Sequence, residues 1–217
     1  MVAEHQPDRA RAQRRVLDDD LAADQGIGDA VFQFRVGDDI LKEADQHTLE
    51  EDHRIKRRPA EPGGGYFFDF TRTWCLGHAS PEIEKAYGDV MDTFSTVMSE
   101  MKAGEGTQRY EARTCDLLEA RGHPTHRSHE GTQEGYYHSL GHGVGLNIHE
   151  PPYFSIHETS KHILTPGCVV TIEPGVYYPD SGGYGIRIED CCWMNPETGR
   201  FEALADYSKE LVLPVRE

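Results

Sequence analysis

The chain has 217 residues, with 38 acidic against 22 basic ones and a formal net charge of −16. This balance repels phosphate backbones and anionic lipid, which argues against nucleic-acid and membrane-surface partners, and the length suits one domain or one domain with an appendage. No run of about 18 apolar residues is present to span a bilayer, and the start, MVAEHQPDRARAQRR, lacks the apolar stretch of a signal peptide, so the expected location is cytoplasmic.

Residues 1–62 are densely charged, with Phe32 and Phe34 as the only aromatics and no sustained helical or strand period, so this segment is expected to be atypical and poorly ordered. The globular part, 63–217, opens with the aromatic run GYFFDFTRT at 65–73. Ser80-Pro81-Glu82 supplies a capping hydroxyl, a proline for the first turn and an acid beside it, which marks a helix start. Ile83, Tyr87, Val90, Met91, Phe94, Met98 and Met101 recur at helical spacing as a core stripe, with Gly104 as the stop. A second helix is expected over Tyr110 to Arg121, ended by Gly122. Strand composition follows at 169–173 and 210–215, with glycine and proline marking turns. Five cysteines, at 75, 115, 168, 191 and 192, lack CxxC spacing and indicate neither a disulfide framework nor a zinc ribbon.

Asp69 lies within the aromatic run, where an ionised carboxylate is tolerated only if a cation or several hydrogen bonds compensate it. Three later segments repeat the pattern of a His or Glu in an apolar, glycine-punctuated stretch: HSLGHGVGLNIHEPP at 138–152, VVTIEPGVYY at 169–178 and GIRIEDCCW at 185–193. Glu173 closes an apolar run before Pro174-Gly175, and Glu189 closes Ile186-Arg187-Ile188. Each acid taken alone reads best as a buried ion pair with Arg72 or Arg187. The set of Asp69, His142, Glu173 and Glu189 reverses that balance, because carboxylates with one imidazole suit manganese, cobalt, iron or zinc. Glycines 141, 143 and 145 let backbone approach His142 closely, with His138 and His149 flanking it as hydrogen-bond donors. His123, His126 and His129 are expected at the surface of a polar loop. No GxSxG elbow, phosphate loop or dinucleotide fingerprint is present.

The motifs DFTRT, HSLGHGVGLNIHE, TIEPG and RIED occur in one order between about Gly63 and Leu213. In this the chain resembles the pita-bread metallopeptidases, the group of aminopeptidase P, prolidase and methionine aminopeptidase, with Arg72 and the RIED ending nearest the proline-directed branches. The resemblance implies an α+β fold, a curved antiparallel sheet backed by helices, with an incomplete first half. It implies Asp69 and Glu189 as bridging metal ligands and His142 and Glu173 as the remaining ligands of one ion, manganese or cobalt first, zinc or iron as alternatives. Two ions are usual in the family. Its fifth ligand, an Asp eleven to thirteen residues before the position of Asp69, falls here on Lys56, Arg57 and Arg58; Asp52 would need an insertion and Glu61 is too close. One ion is therefore expected to bind well and the second weakly, and the first 62 residues are expected to be truncated, diverged or frame-shifted.

The implied activity is hydrolysis of the amino-terminal bond of Xaa-Pro peptides or dipeptides. Metal lowers the pKa of a water, Glu173 shuttles its proton, His138 and His149 stabilise the carbonyl oxygen and Arg187 orients Glu189. The expected partner is a peptide substrate, with a homodimer left open. The competing reading is a non-catalytic relative that binds peptide or metal without turnover.

Overall fold

The computed structural model describes residues 31–35, as backbone, and residues 65–157 and 161–214. Two helices and eight strands are built from them. The first strand, β1 (Val31–Arg35), runs antiparallel to β2 (Thr71–Leu76) with Val31 opposite Cys75 and Arg35 opposite Thr71. No strand was expected there. Its Val-Phe-Gln-Phe-Arg alternation is only five residues long and is flanked by charge, too short to stand out as a period. The rest of the expected poorly ordered segment lies outside the described residues.

Helix α1 (Pro81–Glu100) starts as its signals dictate: the Ser80 hydroxyl accepts the Ile83 N–H at 3.4 Å, and Pro81 occupies the first turn. It ends short of Gly104, because Met101 leaves the helix in extended conformation and is fully buried. Ile83, Tyr87, Val90 and Phe94 are buried in one cluster with strand residues, while Met91 and Met98 pack at its margin. Helix α2 (Thr107–Glu119) begins earlier than expected, at an extended Gly106, and Gly122 at φ +89° turns the chain away beyond it.

The strands β3 (Val169–Ile172), β6 (Asp190–Met194) and β7 (Phe201–Ala203) form one antiparallel sheet, with Ile172 opposite Asp190. A hairpin of β4 (Gly175–Tyr178) and β5 (Tyr184–Arg187) sets Gly175 opposite Arg187. The short β8 (Val212–Leu213) adds to β2 in parallel, and an antiparallel bridge between Thr71 and Glu189 ties β2 to the turn between β5 and β6. Helix α1 packs on β4 and β5, and α2 packs on α1, an α+β arrangement in which helices back the strands on one side.

Candidate metal centre

Three strand junctions and one loop deliver the four expected ligands. Asp69 precedes β2 and Glu189 faces it across the Thr71 bridge, with Thr71 and Glu189 exchanging backbone bonds at 3.3 and 3.0 Å. Glu173 sits in the turn from β3 to β4, forced there by Pro174. The His142 loop lies along β3: Val144 N–H donates to Val169 O at 3.1 Å, Thr171 N–H to His142 O at 2.8 Å and Glu173 N–H to Leu140 O at 2.8 Å. Gly141 permits this approach, since a Cβ there would stand 2.0 Å from Thr171 O, and at Gly143 one would stand 2.3 Å from Pro151 O.

Asp69 and Glu189 are fully buried, and His142 and Glu173 nearly so. The His142 ring is aimed by Nδ1, 3.0 Å from Gly143 O; with the proton there, the Nε2 lone pair points at Glu173 Oε1, 3.3 Å away, and Asp69 Oδ2, 3.8 Å away. Donor atoms of His142, Glu173 and Glu189 lie within 4.8 Å of one another, as do those of Asp69, His142 and His149. Three carboxylates face the Arg187 guanidinium, which stands 3.9 Å from both Glu173 and Glu189. One positive charge among three negative ones leaves the cluster anionic, and this donor set of imidazole and carboxylate fits a divalent ion. Burial works against the Arg187 charge, but Tyr177, Glu189, Glu173 and Asp69 outweigh it and its pKa is raised.

Residues that the sequence reading did not single out complete the frame. The Thr71 hydroxyl donates to Glu189 Oε2 and accepts from Arg187 Nε and Nη2 at 3.2 and 3.1 Å, so Arg187 reaches Glu189 through it. The Thr171 hydroxyl donates to Glu173 Oε1 at 3.1 Å and accepts the His142 N–H at 3.0 Å. Arg72 is fully buried on the far side: it pairs with Asp190 at 2.6 Å and donates to the backbone oxygen of Glu189 at 2.8 Å, leaving the Glu189 carboxylate to Thr71 and Arg187. From α2, the buried Glu111 accepts the Leu140 N–H at 2.6 Å and so holds the loop that carries His142.

The flanking histidines differ. His149 is exposed and meets the His142 ring edge-on at 4.2 Å between centroids. Both nitrogens of His138 are engaged, Nδ1 with Ser139 O at 2.8 Å and Nε2 with the Tyr177 hydroxyl at 3.1 Å, so Nε2 must exchange Tyr177 for any other partner. Of the three loop histidines expected at the surface, only His129 is exposed; His126 is half-buried against Glu111, and His123 is buried between Asp89 and Tyr178. Their polar neighbours hide this in the sequence, because each docks on a helix carboxylate that only the fold brings to it, His123 on Asp89 of α1 and His126 on Glu111 of α2. Asp52, Lys56, Arg57, Arg58 and Glu61 lie outside the described residues. Among the described residues, the antiparallel partner of β2 is Val31–Arg35.

The profile of metallopeptidase family M24 matches residues 60–196. An uncharacterized peptidase, YqhT, of Bacillus subtilis is 31% identical over 194 residues, 89% of this chain and 48% of its own, an alignment long enough to take in part of the first 62 residues. The probable dipeptidase PepE of Mycobacterium bovis is 32% identical over 59% of this chain and 31% of its own. In structure, the chain is similar to an Xaa-Pro dipeptidase from Bacillus anthracis, with a TM-score of 0.57 and 34% identity over 68% of this chain and 38% of that one. The chain thus spans about half the length of YqhT, or less than half for the other two. With the pita-bread fold shared with these structures and a profile match across most of the described part, the chain belongs to metallopeptidase family M24.

Proposed function

We propose that the chain hydrolyses the amino-terminal bond of Xaa-Pro peptides or dipeptides in a reaction that depends on a divalent metal. The observation that carries this reading is the convergence of Asp69, His142, Glu173 and Glu189, from three strand junctions and one loop, on one buried anionic cluster. These four would hold the metal, with manganese or cobalt preferred. When bound, the ion supplies Lewis acidity and a water of lowered pKa. Glu173 is placed to take a proton from the attacking water and return it to the leaving nitrogen, its Oε1 held by Thr171 so that the carboxylate stays oriented between the two transfers. His149, at the exposed lip, donates to the substrate carbonyl oxygen as charge develops, and His138 joins it once Nε2 exchanges the Tyr177 hydroxyl for substrate. Arg187 keeps Glu189 in register through the Thr71 hydroxyl. The preference for proline rests on the similarity to an Xaa-Pro dipeptidase.

The test is cleavage of Xaa-Pro dipeptides and tripeptides, against the same peptides with alanine for proline, by the manganese-loaded chain. Cleavage confined to the proline series, and reduced about 100-fold or more in Glu173→Gln, is expected. A manganese-bound chain that turns over neither series would overturn the reading in favour of a binding-only relative.

A further inference from the structure

Helix α2 and the loop after it carry a second group of ligand-capable side chains, none of which the proposed hydrolysis uses as a metal ligand or catalytic group. Glu111 and Cys115 are one turn apart on its inner face, both fully buried, and His126 comes back from the following loop to meet them. His126 Nε2 lies 2.9 Å from Glu111 Oε1 and 3.7 Å from Cys115 Sγ, and one donor atom of each residue falls within 4.8 Å of the other two. Tetrahedral zinc with bonds of about 2.0–2.3 Å has ligand-to-ligand edges of roughly 3.3–3.7 Å. The nitrogen-to-sulfur separation already matches such an edge, the carboxylate oxygen has to retreat from His126 by only a few tenths of an ångström, and its distance to the sulfur is within 4.8 Å.

The surroundings suit an ion as well. Glu111 is oriented by the Leu140 N–H on Oε2 at 2.6 Å and by the Tyr136 hydroxyl on Oε1 at 2.9 Å, the outer hydrogen bonds that fix a ligating carboxylate. Glu111 and His126 also line a cleft of about 210 Å³ shared with Tyr137, His138 and Phe154, which gives an ion a route in and room for a water as fourth ligand.

We propose that Glu111, Cys115 and His126 form a second cation site, selective for a borderline or soft divalent ion such as zinc or cadmium. The thiolate separates its preference from that of the carboxylate-rich centre, where manganese is well suited. Burial pushes the Cys115 thiol up to about 12, so the ion must displace its proton to solvent, and uptake strengthens as pH rises. The same resting geometry would also arise from a direct His126–Glu111 hydrogen bond with no role for an ion, and the experiment separates the two.

The full chain, stripped with chelator, is titrated with cobalt and followed by the near-ultraviolet thiolate-to-cobalt charge-transfer band. The band is expected in the wild type and in His142→Ala, where the carboxylate-rich centre is disabled, and in Cys191→Ser, whose thiol lies near Asp69. It should vanish in Cys115→Ser. His126→Ala, at a half-buried position, serves if Cys115→Ser does not fold, and should weaken cobalt uptake at the thiolate site by about tenfold or more. No band in the wild type, a band that survives Cys115→Ser, or uptake unchanged in His126→Ala would overturn the proposal. None of these readouts requires peptidase activity.

Discussion

Arg187 and Glu189 meet on the Thr71 hydroxyl, which accepts from the guanidinium at 3.1 and 3.2 Å and donates to the carboxylate. Thr71→Val keeps the shape and removes that group, leaving buried charged partners one bond short. It should lower stability by about 1–3 kcal/mol and manganese affinity by about 10–100-fold, read by denaturant unfolding and by metal titration. Unchanged affinity would show that Glu189 is held without Thr71. Arg72 is a different case, for it carries a full charge into the core against Asp190, with Lys209 also 2.7 Å from that carboxylate. Arg72→Met should cost about 3 kcal/mol, the low end for breaking a buried pair, because Lys209 remains. At this scale the sequence showed the charged candidates that interrupt apolar strands and concealed the groups that orient them. A Glu closing an apolar strand is conspicuous, whereas Thr71 and Thr171 carry no charge to advertise the role. Glu111 stands on a helix among polar neighbours, and only the tertiary contact with Leu140 gives it meaning.

Two glycines show how elements set the site. Gly141 lies where the His142 loop runs beside β3, and a Cβ would meet Thr171 O at 2.0 Å; Gly88 lies on the exposed face of α1 with nothing within 4 Å. Gly88→Ala should stabilise the chain by about 0.5–1 kcal/mol through helix propensity. Gly141→Ala should destabilise it by about 1–3 kcal/mol and also weaken metal uptake, since the shift separates His142 from Glu173. Thermal unfolding of the two variants should move in opposite directions, and a neutral Gly141→Ala would mean that the loop is not held against β3 as described. The same elements were unevenly legible. The first turn of α1 was readable because Ser80 and Pro81 act locally, and the turn after β3 because Pro174 does. β1 was not, since its pairing with β2 is a long-range choice that five residues of alternation cannot announce.

Across the whole molecule, burial shifts several neutral acids in one direction. The Cys115 thiol is pushed up to about 12 from an ordinary 9.0, and the Tyr87 and Tyr178 hydroxyls to about 12 from 10.0. These groups ionise earlier in the unfolded chain, so between about pH 9 and 12 the unfolded state binds fewer protons and stability falls as pH rises. The melting temperature should therefore drop across that window, with a shallower drop below about pH 10 in Cys115→Ser; a flat profile would contradict the burial described here. The order of the four sequence motifs carried the family into view and named candidate ligands, while the pairing of the strands that brings those residues together had to come from the structure. Among the described residues no helix is long and apolar enough to cross a membrane. The most direct test of the metal centre is the amount of manganese bound per chain, beside His142→Ala, because manganese avoids the thiolate of the α2 cluster. At least one tightly held ion per chain, lost in His142→Ala, is the expected result. No bound manganese, or binding that survives loss of the imidazole, would contradict a centre built on Asp69, His142, Glu173 and Glu189.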